Sequence, residues 1–281
     1  MKSEQKPLDG TKVVSIALNA PGPVAAAKLY RMGASVTKVE PPDGDLLAKL
    51  CPPWYESLCA GQMVIRLDLK TTSGRAEIGA LLEESDLFLT SMRPSALNHL
   101  SLDWPAVNSR YPRLCQVAIV GYVSPDQNKA GHDLTYLAPL GLLSPPHLPR
   151  TLPVDLAGAE RAVSSALALL YARERGRGAG YTEVALIEGA EIFAEPLRYG
   201  ITAPGGMLGG GLPQYNLYET RQGWIAVAAL EPHFWHRLTS ELGTNHADAT
   251  YEELRKIFLT KTAPEWEVWA ALHDLPVAAV K

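Results

Sequence analysis

The sequence predicts an α/β protein, with an open, mostly parallel sheet wrapped by helices and a smaller α+β domain after it. Short apolar runs suited to buried strands alternate with helical periodicity from Lys12 to Val120. The opening β-α-β pattern has the length of a right-handed crossover unit, roughly 30 residues. Near residue 200 the composition shifts at a glycine-rich stretch, and shorter strand and helix signals follow.

Taken in order, Lys12-Val-Val-Ser-Ile-Ala17 is the first strand, broken by Asn19-Ala-Pro-Gly-Pro23. Val24 to Met32 reads as a helix rich in alanine and leucine, with Gly33 where a helix C-terminus favours glycine. Ser35 to Val39 is the second strand, closed by Glu40-Pro-Pro-Asp-Gly44. Met63 to Leu67 is strand-like, and Asp68 to Gly74 leads into a helix from Arg75 to Glu84. Asp86 to Thr90 and Leu114 to Val120 are further strands, and Ala157 to Arg175 is the longest helical stretch. Pro204-Gly-Gly-Met-Leu-Gly-Gly-Gly211 reads as a flexible loop. After it, Trp224 to Leu230 is a strand, and Pro232 to Leu242, Tyr251 to Phe258 and Ala263 to Leu272 are helices. The boundary is placed at residue 199, with a large domain over 1–199 and a small one over 200–281.

Composition narrows the function classes. The chain has 281 residues, 47% hydrophobic and 20% charged, enough apolar material for a sizeable core. Twenty-six basic against 30 acidic residues leave a formal charge of −4. A partner such as nucleic acid or an anionic membrane selects for a basic face, so neither is expected. Cys51, Cys59 and Cys115 lack metal-type spacing and leave an odd thiol under any pairing, which reads as reduced, buried cysteines. No apolar run approaches the roughly 18 residues of a membrane span, and the first seven residues do not read as a signal peptide. A soluble cytoplasmic enzyme is the expectation.

Several catalytic signatures are missing. The turn Asn19-Ala-Pro-Gly-Pro23 has one glycine between two prolines, not the glycine fingerprint that lets a pyrophosphate approach a helix. Walker, zincin and Gly-x-Ser-x-Gly patterns do not occur. Of the histidines at 99, 132, 147, 233, 236, 246 and 273, only His132 has a suggestive setting, Gly131-His-Asp-Leu-Thr-Tyr136, in a loop beyond the strand ending at Val120. That is the sheet edge at which such folds bind ligands. Asp155, in Leu152-Pro-Val-Asp-Leu-Ala-Gly158, reads first as a helix N-cap, and Glu231 as an acid favoured at a helix start. Spacing alone makes His132 more ordinary than catalytic.

Other segments carry a resemblance. Pro7 to Glu40, with Ala-Pro-Gly-Pro and Met-Gly-Ala-Ser-Val-Thr-Lys-Val-Glu, resembles the opening of the family III CoA-transferase and α-methylacyl-CoA racemase family. Leu67-Asp-Leu-Lys70, Met92-Arg-Pro94, Gly131-His-Asp133, Asp155 before its helix and Arg173-Glu-Arg-Gly-Arg-Gly178 follow in family order over nearly the whole chain. Gly131-His-Asp-Leu-Thr-Tyr136, and Gly210 to Thr220 followed by Ala229-Leu-Glu-Pro-His-Phe234, are more similar to the racemase branch.

The resemblance implies a Rossmann-like large domain and a homodimer of interlocked subunits, with sites between the large domain of one and the small domain of the other. It implies that His132, paired with Glu231, is one acid/base and Asp155 the other, acting on a 2-methylacyl-CoA thioester. It further implies that Lys38, Leu67, Asp68, Leu69, Lys70, Ser91, Met92, Arg93, Gly131, Asp133 and Tyr136 hold the CoA thioester. CoA enters as part of the substrate, and neither a metal nor an organic cofactor is required. Racemisation needs one base on each face of the α-carbon, and donors for an enolate oxygen, here expected from the N–H groups beside Asp155.

Pro41, Cys59-Ala-Gly-Gln62 and His99 stand where family members carry basic residues, so weakened CoA phosphate binding is expected. The family's chains continue past a motif like Leu275-Pro-Val277, and a small domain cut short of the usual return is expected here. The rival enzyme reading is a CoA-transferase with Asp155 as nucleophile. A rival of another class is an inactive paralogue serving as a binding subunit.

Overall fold

The computed structural model describes residues 5–245 and 249–281, and His246 lies outside them. The chain divides into two compact units, 1–192 and 193–281.

The first unit is built on six strands: β1 (Lys12–Ser15), β2 (Ser35–Glu40), β3 (Met63–Arg66), β4 (Leu87–Thr90), β5 (Cys115–Val120) and β6 (Tyr181–Ala185). All pair in parallel, in the order β3-β2-β1-β4-β5-β6. The order reverses between β1 and β4, so a crevice opens beyond their carboxyl ends. Every residue of β4 and β5 is buried, as in a parallel sheet covered on both faces, and this is why these strands lack alternation.

Among the described residues, nine helices connect and cover the strands: α1 (Pro21–Arg31), α2 (Leu46–Leu50), α3 (Pro52–Cys59), α4 (Thr72–Glu83), α5 (Pro94–Leu100), α6 (Trp104–Arg110), α7 (Asp133–Leu137), α8 (Pro153–Ala172) and α9 (Leu186–Arg198), the last crossing the division between units. On one face, Ala25, Ala26 and Leu29 of α1 and Ala159, Ala162 and Ala166 of α8 meet Val13, Leu87, Leu89 and Val117. On the other, Ile78 and Leu82 of α4, Leu97 of α5 and Val107 of α6 meet Val14, Phe88 and Leu114. Neighbouring residues along a strand thus serve opposite cores.

Two helices start earlier than their apolar periodicity suggests. Both α1 and α8 open with proline at the first helical position, where its missing N–H is no loss. In α1, Pro21 and Pro23 flank Gly22, where a Cβ would come within 2.4 Å of the Ala17 Cβ. The early start of α8 moves Asp155 from the expected cap to the third helical residue. At the other end of α8, Arg173 of the Arg-Glu-Arg-Gly-Arg-Gly segment binds Asp86 Oδ1 at 2.9 Å and the Arg113 carbonyl at 3.1 Å. That segment is a structural latch at the amino edge of the sheet.

The second unit holds an antiparallel sheet of β7 (Tyr215–Glu219), β8 (Trp224–Ala228) and β9 (Val277–Ala279), with α10 (Pro232–Glu241), α11 (Tyr251–Phe258) and α12 (Ala263–Leu272). Its core joins Tyr218, Ile225, Leu238, Leu254, Phe258 and Trp266. Thr250 and Thr262 cap α11 and α12 through their hydroxyls. The glycine-rich stretch is not an open flexible loop. It closes on itself, with Leu208 N donating to Ile201 O at 2.7 Å and Gly211 N to Gly206 O at 2.9 Å. Cysteine burial is also corrected: only Cys115 is buried, and Cys51 is exposed in the short link between α2 and α3. Among the described residues no helix is long and apolar enough to cross a membrane.

Candidate active site

The carboxyl edge of the parallel sheet carries two cavities. The smaller, about 230 Å³, lies at the crevice and is lined from the β1 end by Leu18 and Asn19, from the β4 end by Ser91, Met92 and Arg93, and from the β5 end by Gly121. Gln127, Lys129, Gly131, His132 and Tyr136 close it from the loop and α7, and Asp155 from α8. The larger, about 620 Å³, is mostly apolar and lined by Pro41 and Pro42 after β2, Leu67 to Lys70 after β3, and Met92, Ala96, His99 and Leu100. Leu18 and Met92 line both, so the two cavities adjoin.

His132 and Asp155, assigned to opposite acid/base arms by resemblance, therefore line one cavity. His132 is the extended residue just before α7, held through its backbone: its N–H donates to Thr135 Oγ1 at 2.9 Å, and that hydroxyl donates back to the His132 carbonyl at 2.8 Å. Gly131 is glycine for a packing reason, since a Cβ there would come within 2.6 Å of the Tyr136 ring. Tyr136 is itself buried, and burial first, then the nearby Tyr122 hydroxyl and the Asp155 and Asp133 carboxylates, push its pKa up to about 12.

Asp155 is not an N-cap. Leu152 holds that position, and no side chain there caps the helix. The cap comes from Asp133, whose Oδ1 accepts the N–H groups of Val154 at 2.8 Å and Asp155 at 2.9 Å. Two expectations are corrected by these bonds. The N–H groups of Val154 and Asp155 are taken and are not free for an enolate oxygen. Asp133 is buried and engaged with the helix rather than presented to a CoA moiety. The Asp155 carboxyl is left to the cavity, where burial and the Asp133 carboxylate raise its pKa to about 6, against a smaller opposing effect of His132.

The remaining expected residues separate. Leu67, Asp68, Leu69, Lys70 and Met92 line the larger cavity, while Ser91, Met92, Arg93, Gly131 and Tyr136 line the smaller. Lys70 and Arg93 are exposed and reachable by a phosphate. Lys38 is not. It is fully buried beneath the edge and held by Glu40 and Asp45, with Asp45 Oδ2 at 2.7 Å. Tyr55 donates to Glu40 Oε1 at 2.6 Å. Burial alone raises the Glu40 pKa, but the hydrogen bonds from Lys38 and Tyr55 outweigh it and hold the carboxyl below its ordinary value. A lysine committed to two buried carboxylates has no charge to offer a ligand. Glu231 belongs to the second unit, exposed at the N-cap of α10 without capping it.

Sequence reading missed Asn19, Gln127 and Lys129 as lining residues. Asn19 carried a usable signal, an asparagine ending a strand before Pro-Gly-Pro. It adopts φ 65° at the carboxyl edge, a conformation asparagine tolerates.

Comparison with known proteins agrees with this architecture. Human α-methylacyl-CoA racemase is 30% identical over 92% of this chain and 74% of its own length. Cinnamoyl-CoA:phenyllactate CoA-transferase of Clostridium sporogenes is 26% identical over 99% of this chain and 79% of its own. A hypothetical protein from Mycobacterium tuberculosis superposes with a TM-score of 0.84 at 25% identity, covering 99% of this chain and 85% of its own. A CaiB/BaiF family protein from Brucella suis shares the fold at TM-score 0.83 and 22% identity, over 99% of this chain and 85% of its own. The model of CoA-transferase family III matches residues 8–281, a span that includes the residues lining both cavities. With its six-stranded sheet and crevice as described, this chain belongs to CoA-transferase family III.

Proposed function

We propose that the protein is a racemase of 2-methylacyl-CoA thioesters. The observation that carries this is the shared cavity of His132 and Asp155, with Asp155 titrating near 6, so that both of its protonation states are accessible close to neutrality. A two-base mechanism requires that arrangement, because each group must serve as base in one direction and acid in the other. In this reading the CoA moiety lies along the larger cavity, with Lys70 and Arg93 toward its phosphates, and the α-carbon sits between His132 and Asp155. His132 removes the proton from one face, and protonated Asp155 returns one to the other. Glu231 is assigned to orient His132, and the protein works as a homodimer.

Support for a second reading comes from relatives that are CoA-transferases at similar identity, such as the succinate–glutarate CoA-transferase of Agrobacterium fabrum, 27% identical over 93% of this chain. There Asp155 is a nucleophile that forms an acyl anhydride and then a CoA thioester. The experiment that separates the two is incubation of a 2-methylacyl-CoA in heavy water. Deuterium entering the α-position without an acceptor acid supports the racemase. CoA transfer to a second carboxylate, with an Asp155 adduct trapped by hydroxylamine or borohydride, sinks it.

A further inference from the structure

We propose that Asp133 is a positioning residue that acts through Asp155, fixing the carboxyl arm relative to His132 and holding a negative charge beside it. This rests on the acid/base reading of Asp155. Asp133 follows His132 directly in the chain, so the bonds from its Oδ1 to Val154 N and Asp155 N tie the histidine segment to the first turn of α8 across 21 and 22 residues. Both arms are thereby referenced to one carboxylate. The side chain is only 5% exposed, and its Oδ1 meets two N–H groups at the start of a 20-residue helix.

The charge then works on its neighbour. Around Asp155, α7 and the residue before it supply His132, Asp133 and Tyr136, while Arg93 and Lys129 line the same cavity. Lys28 of α1 is bound to Glu160, and Glu188 of α9 to Arg161, both further along α8. Burial raises the Asp155 pKa most, and Asp133, held beside it by the two backbone bonds, is the acidic side chain that adds to the rise. Because Asp133 performs the capping, Asp155 is released from it, and one residue performs both tasks.

The test is Asp133→Asn, whose side-chain oxygen can still accept both N–H groups while the charge is removed. Titration of the Asp155 carboxyl by carbon-13 NMR, with Asp155→Asn to assign the signal, is the readout independent of activity. In Asp133→Asn the midpoint is expected to fall from about 6 by roughly one pH unit, and the acid limb of deuterium wash-in should move with it. Asp133→Ala, which also loses the bonds, is expected to lose about tenfold or more in exchange rate. An unmoved Asp155 midpoint in a folded Asp133→Asn protein would overturn the proposal. Should that variant not fold, the unaltered protein decides: Val154 and Asp155 amides must be protected from hydrogen exchange, and rapid exchange there overturns it. If the unaltered protein shows no α-proton exchange, the racemase reading fails, and the carboxyl titration still decides the role of Asp133.

Discussion

The carboxylate of Asp45 lies 2.7 Å from the ammonium of Lys38, and neither side chain reaches solvent. The other oxygen of Asp45 accepts the Asn19 N–H at 3.2 Å and the Leu47 N–H at 3.0 Å. A charge pair beneath the sheet edge thus braces the turn after β1, which lines the crevice. The ring of Tyr55 adds a cation–π contact 4.9 Å from the ammonium.

Removing the lysine leaves Glu40 and Asp45 buried without their counter-charge. Lys38→Met is expected to cost about 3–5 kcal/mol in urea unfolding, the usual effect of breaking a buried pair from one side. A variant as stable as the parent would mean that the carboxylates have another partner.

In the proposed function, phosphate recognition falls to the exposed cations Lys70 and Arg93. Lys70→Ala and Arg93→Ala should each weaken CoA binding by up to about fivefold at low salt, the scale of an exposed ion pair. Calorimetry at two ionic strengths checks this, because the wild-type advantage should shrink as salt screens the charges.

Stability should follow the Asp155 titration. Its folded pKa, about 6, lies above the ordinary 3.8, so the fold binds this proton more tightly than the unfolded chain does. Ionisation therefore erodes stability as pH rises from about 4 to 6 and adds no further loss above that range. Asp155→Asn should fold, be inactive, and gain melting temperature relative to the parent over that window. A constant difference from pH 4 to 7 would contradict the raised pKa.

The histidine arm has its own readout. His132→Ala should lower racemisation by about 10²–10⁴ while Asp155 still exchanges the α-proton of one enantiomer. Glu231→Gln should impair the same enantiomer's exchange as His132→Ala. Full racemisation by His132→Ala would remove the histidine from the mechanism.

The strands beneath the site were legible because buried parallel strands read as short apolar runs, as in Leu87-Phe-Leu and Cys115 to Val120. β6 was not, because Tyr181-Thr-Glu-Val-Ala185 is a half-buried edge strand with polar residues on it. β7 is comparably polar, and β9 is only three residues long. His132 and Asp155 were found by resemblance rather than by pattern. The capping of α8 by Asp133 was invisible for a physical reason: local rules look for a cap one residue before the helix, whereas this one arrives from 21 residues upstream. Lys38 misled for a related reason. A lysine in a strand reads as a free charge, and only the fold brings Asp45 against it.

The start of α1 bears on which small molecules the crevice admits. A sheet with this strand order ordinarily seats a diphosphate on the first helix, using free N–H groups and glycines that let it approach. Here Pro21 and Pro23 delete two of those donors, and Gly22 is occupied with Ala17 of its own chain. A nicotinamide or flavin dinucleotide seated at this turn would therefore lack two of the backbone donors that such a seat ordinarily supplies. A ligand of the crevice has to draw its hydrogen bonds from other groups of the edge, such as Ser91, Gln127 and His132.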